Sequence, residues 1–268
     1  MDRIVSYEQI LGFVGEIKNL RRGFVTNFFW DEAKHPYWIE GNTFCYTKVD
    51  DCYLFLHNND GFYNLFYLAT DMNVAIDAIR LMQADKDLVV DVVVKGDKKN
   101  EVEMLAQAGF VPYNSLFRMS HIGLLAEDNW NSHEDVIFAN DTDANDIYNS
   151  LHSDFDPICE QLPSLQEVRD YIQKKMLLVT KDGNQLCGYL LFELMGKTSW
   201  YLRYWYTSPL YRNQGIGARL LKAALAVGKT TKRQQLWVLC DNDNAIKRYE
   251  HYGFSKEDIH DYVLIKRK

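Results

Sequence analysis

Three features of this 268-residue sequence predict an α/β (α+β) chain of two similar units, each a mixed, mostly antiparallel sheet flanked by helices. Apolar, aromatic and β-branched runs of strand length alternate with stretches whose apolar residues recur at helical spacing. The order of those runs is repeated once along the chain at a slowly growing offset. The residues are 47% hydrophobic and 14% aromatic, enough to fill cores and too many for a disordered chain.

The repeat fixes the elements in order. FCYTK, ending at Lys48, matches LLVTK, ending at Lys181, an offset of 133. CYLFL (52–56) stands against CGYLLF (187–192), with Tyr53 and Tyr189 offset by 136. FYNLFYL (62–68) stands against WYLRYWY (200–206), offset 138. Amphipathic stretches at 73–83 and 216–227 follow; in the second, Leu220, Leu221, Ala224 and Leu225 form one apolar face, and Gly228 with Lys229 stops the helix. VVDVVV (89–94) and NEVEMLAQAGF (100–110) match RQQLWV (233–238) and NAIKRYEHYGF (244–254), both offset by 144. Each unit therefore reads as helices, three strands, a helix, a strand, a helix and a last strand. The polar, turn-rich stretch 127–135 divides the chain into a unit at 1–126 and a unit at 136–268.

Charge and composition exclude several functions. Lys and Arg number 30 against 37 Asp and Glu, a net charge of −7, which argues against general nucleic-acid binding. No apolar run is long enough to span a membrane, and MDRIVSYEQI lacks the apolar core of a signal peptide. Five cysteines at 45, 52, 159, 187 and 240 contain no CxxC pair; they read as reduced thiols of a cytoplasmic protein with no metal site. Residues 131–202 carry net −7 and residues 203–268 net +7, so the last segment suits an anion and the one before it a cation.

The last segment holds the chemistry. After the strand ending near Pro209, Arg212, Asn213, Gln214, Gly215, Ile216, Gly217 and Ala218 lead straight into a helix. Glycines admit close approach of a ligand to the backbone, and the free N–H groups of a helix start favour negative charge. Alone, RxxGxG is a weak pattern that a ligand-free helix start also satisfies. A second block follows strand QLWVLCD (235–241): Asn242, then AIKRYEHYGF with Tyr249, Gly253 and Phe254. The two blocks, in this order and about 30 residues apart, resemble the GNAT superfamily of acetyl-CoA-dependent N-acetyltransferases.

The resemblance covers 136–268 and implies a GNAT fold there, with acetyl-CoA as co-substrate and transfer of acetyl to a small-molecule or peptide amine in a ternary complex. It implies that the 212–218 loop holds the diphosphate and that the pantetheine arm runs along Trp205 and Thr207. Asn242 matches the residue touching that arm, and Tyr249 the acid that protonates the leaving thiolate. Tyr249 also reads as a buried aromatic on a helix face, and Asn244 as a helix cap. The general base stays open among Glu193, Tyr201, Tyr204, Asp154, Asp156 and His152, while His251 and His260 read as surface residues. The first unit has no glycine in 69–87, and the offset puts Leu105 opposite Tyr249 and Lys98 opposite Asn242. It reads as a degenerate GNAT-like unit without a cradle, giving one acetyl-CoA per chain, in a monomer or homodimer. The competing readings are another acyl-CoA donor and a CoA-binding regulatory module without turnover.

Overall fold

The structure, a computed structural model, describes residues 1–96, 99–123, 134–196 and 198–268. It divides into two compact units, Met1–Leu116 with Asp258–Lys268, and Phe117–Glu257.

In the first unit, β1 (Asp2–Arg3) and α1 (Tyr7–Asn19) lead through β2 (Val25–Thr26) and α2 (His35–Glu40) to the meander β3 (Phe44–Val49), β4 (Cys52–Asn58) and β5 (Phe62–Ala69). Then come α3 (Met72–Leu81), β6 (Asp87–Lys95), α4 (Asn100–Gln107) and β7 (Val111–Ile122), which continues past Leu116 into the second unit. The second unit adds β8 (Ile137–Phe138), α5 (Ala144–Asp154), α6 (Pro157–Glu160), α7 (Leu165–Gln173), β9 (Leu177–Asp182), β10 (Gln185–Met195) and β11 (Ser199–Thr207). It then runs through α8 (Ile216–Val227), β12 (Arg233–Leu239) and α9 (Asp243–His251) into β13 (Ser255–Lys266).

Each unit carries the expected mixed, mostly antiparallel sheet with helices on its faces. β3, β4 and β5 pair antiparallel, and β5 pairs parallel with β6. β9, β10 and β11 do the same, and β11 pairs parallel with β12. The strands are apolar on both sides because both faces are covered. In unit 1, Leu54, Leu56, Leu65 and Tyr67 pack with α3 and α4, while Tyr53, Phe55, Phe66 and Leu68 pack with α1 and α2. In unit 2, Leu190, Phe192, Trp200 and Leu202 pack with α8 and α9, while Tyr189, Leu191 and Tyr204 pack with α5 and α7.

The duplication is repeated atom for atom at the end of α4 and α9. The Phe110 N–H donates to the Leu105 carbonyl at 3.2 Å, and the Phe254 N–H to the Tyr249 carbonyl at 3.1 Å. Gly109 and Gly253 hold φ of 92° and 84°, a left-handed turn that glycine enters without Cβ strain.

The boundaries differ from those the sequence suggests. Most of the expected 127–135 linker lies outside the described residues, as does Lys98. The units are instead divided at Leu116 and again at Glu257. Strand β13 runs antiparallel to β6 from Ile259 opposite Lys95 to Lys266 opposite Leu88, so the chain's C-terminus completes the sheet of the first unit. Residues 117–122 of β7 in turn lie beside β12 in the second. The two repeats thus exchange their last strands. Hydrophobic pattern along one strand reports its faces, not its neighbour, so this exchange is invisible to a linear reading.

Candidate functional site

The site is built around a break in the sheet of unit 2. β11 and β12 pair only from Ser199 opposite Arg233 to Leu202 opposite Leu236. Immediately after, β11 carries a bulge: Leu202 pairs with Phe192 and Tyr204 with Leu191, leaving Arg203 as the extra residue. A bulge puts two residues against one and resets the alternation of faces. Before it, Trp200 and Leu202 face α8; after it, Trp205 does, while Tyr204 and Tyr206 face α5 and α7. The bulge therefore turns Trp205 toward the start of α8, and the edge of β11 beyond Leu202 no longer pairs with β12.

That helix start is shaped for close approach. Gly215, with φ 75°, is the N-cap of α8, and no side chain caps the first turn. A Cβ on Gly217 would lie 3.1 Å from Thr207 Oγ1 and 3.3 Å from the Trp205 ring. The Trp205 Nε1–H donates to the Gly217 carbonyl at 3.1 Å, so the indole and the first turn of α8 are fixed together. In the first unit the matching helix α3 is closed instead: the Asp71 carboxylate accepts from the N–H groups of Asn73 and Val74 at 2.8 and 3.1 Å. An acidic cap there occupies the groups an anion needs.

A cavity of about 540 Å³ opens at this point, lined by Trp205, Thr207, Arg212, Asn213, Gly215, Ile216, Gly217 and Ala218. All eight were singled out from the sequence. Its other wall is α9, through Lys247, Arg248 and His251, with Tyr211 and Tyr252 beside them. The sequence reading missed that wall and took His251 for a plain surface residue; its helical spacing from Lys247 was the available signal. Lys247, Arg248, His251 and Arg212 are exposed, and Arg248 lies 5.9 Å over the Trp205 ring. With the open turn of α8 these cations suit a polyanion.

Three of the expected residues stand apart from the cavity lining. Gln214 is exposed and donates to the Leu210 carbonyl at 3.5 Å. Asn242, not Asn244, caps α9: its Oδ1 accepts from the Ala245 N–H at 3.1 Å. Tyr249 is buried behind Trp205, with ring centroids 5.5 Å apart. Burial above all, then the charges of Glu160 and Tyr201, holds its hydroxyl pKa above the ordinary tyrosine value.

The candidate bases are mostly engaged. The Glu193 carboxylate accepts from the Tyr171 hydroxyl at 2.6 Å and pairs with Arg203 at 3.8 Å. Tyr204 donates its hydroxyl to the carbonyls of Glu160 and Gln161, and Arg203 lies 5.5 Å over the Tyr201 ring. Asp156 caps α6, while Asp154 is exposed and accepts from two serine hydroxyls. His152 is exposed beside the Tyr148 carbonyl.

A split mixed sheet, an uncapped glycine-led helix at the split and a basic helix across from it make a site suited to an extended, anionic ligand. Residues 144–254 match the acetyltransferase (GNAT) family, so the chain carries a GNAT domain. No curated protein matches the chain significantly in sequence. Among solved structures, a GNAT-family acetyltransferase from Colwellia psychrerythraea is 15% identical and has a TM-score of 0.57, covering 100% of this chain and 99% of that one. A GCN5-related N-acetyltransferase from Sphaerobacter thermophilus is 14% identical with a TM-score of 0.55, over 81% and 76% of the two chains. A tandem GNAT protein from the clavulanic acid biosynthesis pathway is 13% identical with a TM-score of 0.52, over 81% and 78%. At such identities the likeness is one of fold, here the tandem GNAT fold. Family and fold together support an acyl-CoA-dependent acyltransferase.

Proposed function

We propose that the second unit binds acetyl-CoA in the cavity at the start of α8 and transfers the acetyl group to an amine by direct attack in a ternary complex. The observation that carries this reading is the uncapped first turn of α8, opened by Gly215 and Gly217 and faced by Arg212, Lys247 and Arg248. Its N–H groups and the cations take the diphosphate. The unpaired edge of β11 from Arg203 to Thr207 takes the extended pantetheine arm, which carries the amide groups to pair with it. Backbone N–H near Thr207 supplies the donor for the oxyanion. Tyr249 holds its proton at neutral pH and gives it to the departing sulfur.

The test is calorimetric titration of the purified chain with acetyl-CoA. One equivalent binds per chain, because Asp71 closes the matching helix of the first unit. Gly215→Val places a β-branched residue at a positive φ, at a strain cost of about 1–3 kcal/mol, and walls the cradle. Affinity falls at least tenfold while the fold survives. Unchanged affinity in that variant, or two equivalents per chain, overturns the cradle assignment.

A further inference from the structure

The sheet of the first unit splits at the same place in the repeat as that of the second. β5 and β6 pair only from Phe62 opposite Asp87 to Asn64 opposite Val89. Beyond that point β5 pairs with β4 along one edge, from Leu65 opposite Leu56 to Ala69 opposite Cys52. Its other edge, toward β6, matches the edge of β11 from Arg203 to Thr207 at the repeat's offset of 138. Tyr67 and Trp205 are counterparts there, each packed on the side of the following helix, α3 or α8. On β11 the Ser208 N–H donates to the Cys187 carbonyl, on the β10 side, at 2.9 Å. Alternation along the strand therefore turns the N–H groups of Thr207 and Trp205 to the edge beyond the split.

In the first unit the chain itself takes that edge. β2 pairs with β5, Val25 opposite Ala69 and Thr26 opposite Leu68. Because β4 holds the opposite edge of Leu68 and Ala69, β2 lies inside the split. Side chains continue the pairing. The Thr26 hydroxyl donates to the Tyr67 carbonyl at 2.7 Å, and the Tyr67 N–H donates to Asn27 Oδ1 at 2.7 Å. Asn27 Nδ2 donates to the carbonyls of Leu65 on β5 and Asp91 on β6, both at 3.3 Å, so one carboxamide spans the two strands. The segment enters so closely that a Cβ on Gly23, at φ 107°, would stand 2.7 Å from the Thr70 carbonyl oxygen. Phe28 anchors it, buried against Phe44, Phe55 and Phe66. Just past the split, the Asp71 carboxylate sits on the first N–H groups of α3.

We infer that residues 23–28 and Asp71 are an internal ligand of the first unit, filling with the chain's own groups the place that an acyl donor takes in the second. The match is chemical as well as positional. A segment carrying amides lies along the strand edge, and an anion lies on the helix start. What the second unit binds rests on the acetyl-CoA reading; the filling of the first unit's split does not. To enter the first unit, a donor has to strip the hydrogen bonds of Thr26 and Asn27, draw Phe28 out of the core and displace Asp71. Its competitor is tethered to the site, at an effective concentration that free acyl-CoA does not match. The first unit is therefore a transferase half that holds a piece of its own chain.

Amide hydrogen exchange, read by NMR on the full chain with and without acetyl-CoA, tests this. In the free protein the Tyr67 amide exchanges slower than that of Trp205 by about tenfold or more. Saturating acetyl-CoA slows Trp205 by about tenfold or more and leaves Tyr67 unchanged. Asn27→Ala removes the acceptor and speeds exchange at Tyr67 about tenfold, with Trp205 unchanged. A Tyr67 amide that exchanges as fast as that of Trp205, or that acetyl-CoA slows, overturns the internal ligand, as does an Asn27→Ala protein whose Tyr67 amide is unchanged. The wild-type comparisons decide the matter even where that variant does not fold. A Trp205 amide that acetyl-CoA leaves fast overturns the acetyl-CoA reading of the second unit instead, and the free-protein comparison still judges the first.

Discussion

Trp205 and Gly217, twelve residues apart, are joined by a hydrogen bond from the indole Nε1–H to the glycine carbonyl at 3.1 Å. The contact exists because the bulge at Arg203 turns Trp205 onto the α8 side and because Gly217 has no Cβ to hold the ring off. The same indole packs against Tyr249 from the other side. One tryptophan therefore ties the helix start proposed to receive the diphosphate to the tyrosine proposed to give the proton.

Tyr249→Phe keeps the ring packed against Trp205 and Phe254 and removes only the hydroxyl. Steady-state kinetics with the best amine show kcat down about 10²-fold or more, the usual scale of a positioned acid, with KM little changed. A fall of less than about threefold assigns the residue to packing alone.

Lys247 and Arg248 are exposed, so replacing each by Gln leaves the melting temperature unchanged. Each replacement weakens acetyl-CoA about fivefold, below the full 1.5–3 kcal/mol of a charge-assisted hydrogen bond because water screens the site. The two together show a shallower dependence of affinity on salt than wild type. Calorimetry at two ionic strengths checks both statements.

The first unit contains a pH-dependent element of its own. Val263 pairs with Asp91 and Asp261 with Val93, so the two aspartates are diagonal neighbours across β13 and β6. Burial first, then the charge of Asp91, raises the Asp261 pKa well above the ordinary value, against the Val92 hydrogen bond and Lys34. The folded protein thus holds this proton more tightly than the unfolded chain. The contribution of Asp261 is most favourable below the unfolded pKa of about 4 and is lost as pH rises through the folded pKa. Asp261→Asn keeps the shape and removes the charge. Its melting temperature exceeds that of wild type by a margin that grows from about pH 4 to about pH 8; a constant margin contradicts the raised pKa.

Much of the site was legible because it is local. Arg212 to Ala218 form one loop and helix start, and the properties that matter there belong to the residues themselves: glycine's missing Cβ, the free N–H groups of a first turn, one arginine. The repeat was legible for a similar reason. Leu105 and Tyr249 sit in helices that end with the same backbone hydrogen bonds, which sequence patterns of apolar residues and glycine encode directly. The wall formed by Lys247, Arg248 and His251 was missed because a charged helix face looks the same whether it meets water or a ligand.

By itself, then, the sequence determined the two-unit α/β plan, the order of elements and the position of the glycine cradle, since each follows from short-range periodicity and backbone freedom. Only the tertiary structure decided that β13 completes the first unit, that Asn242 is spent as a cap, and that the Tyr204 hydroxyl holds the carbonyl of Glu160. Those depend on which strands become neighbours and where a bulge falls. Ile259 and Lys95, paired across β13 and β6, lie 164 positions apart in the chain, and no local pattern carries that information.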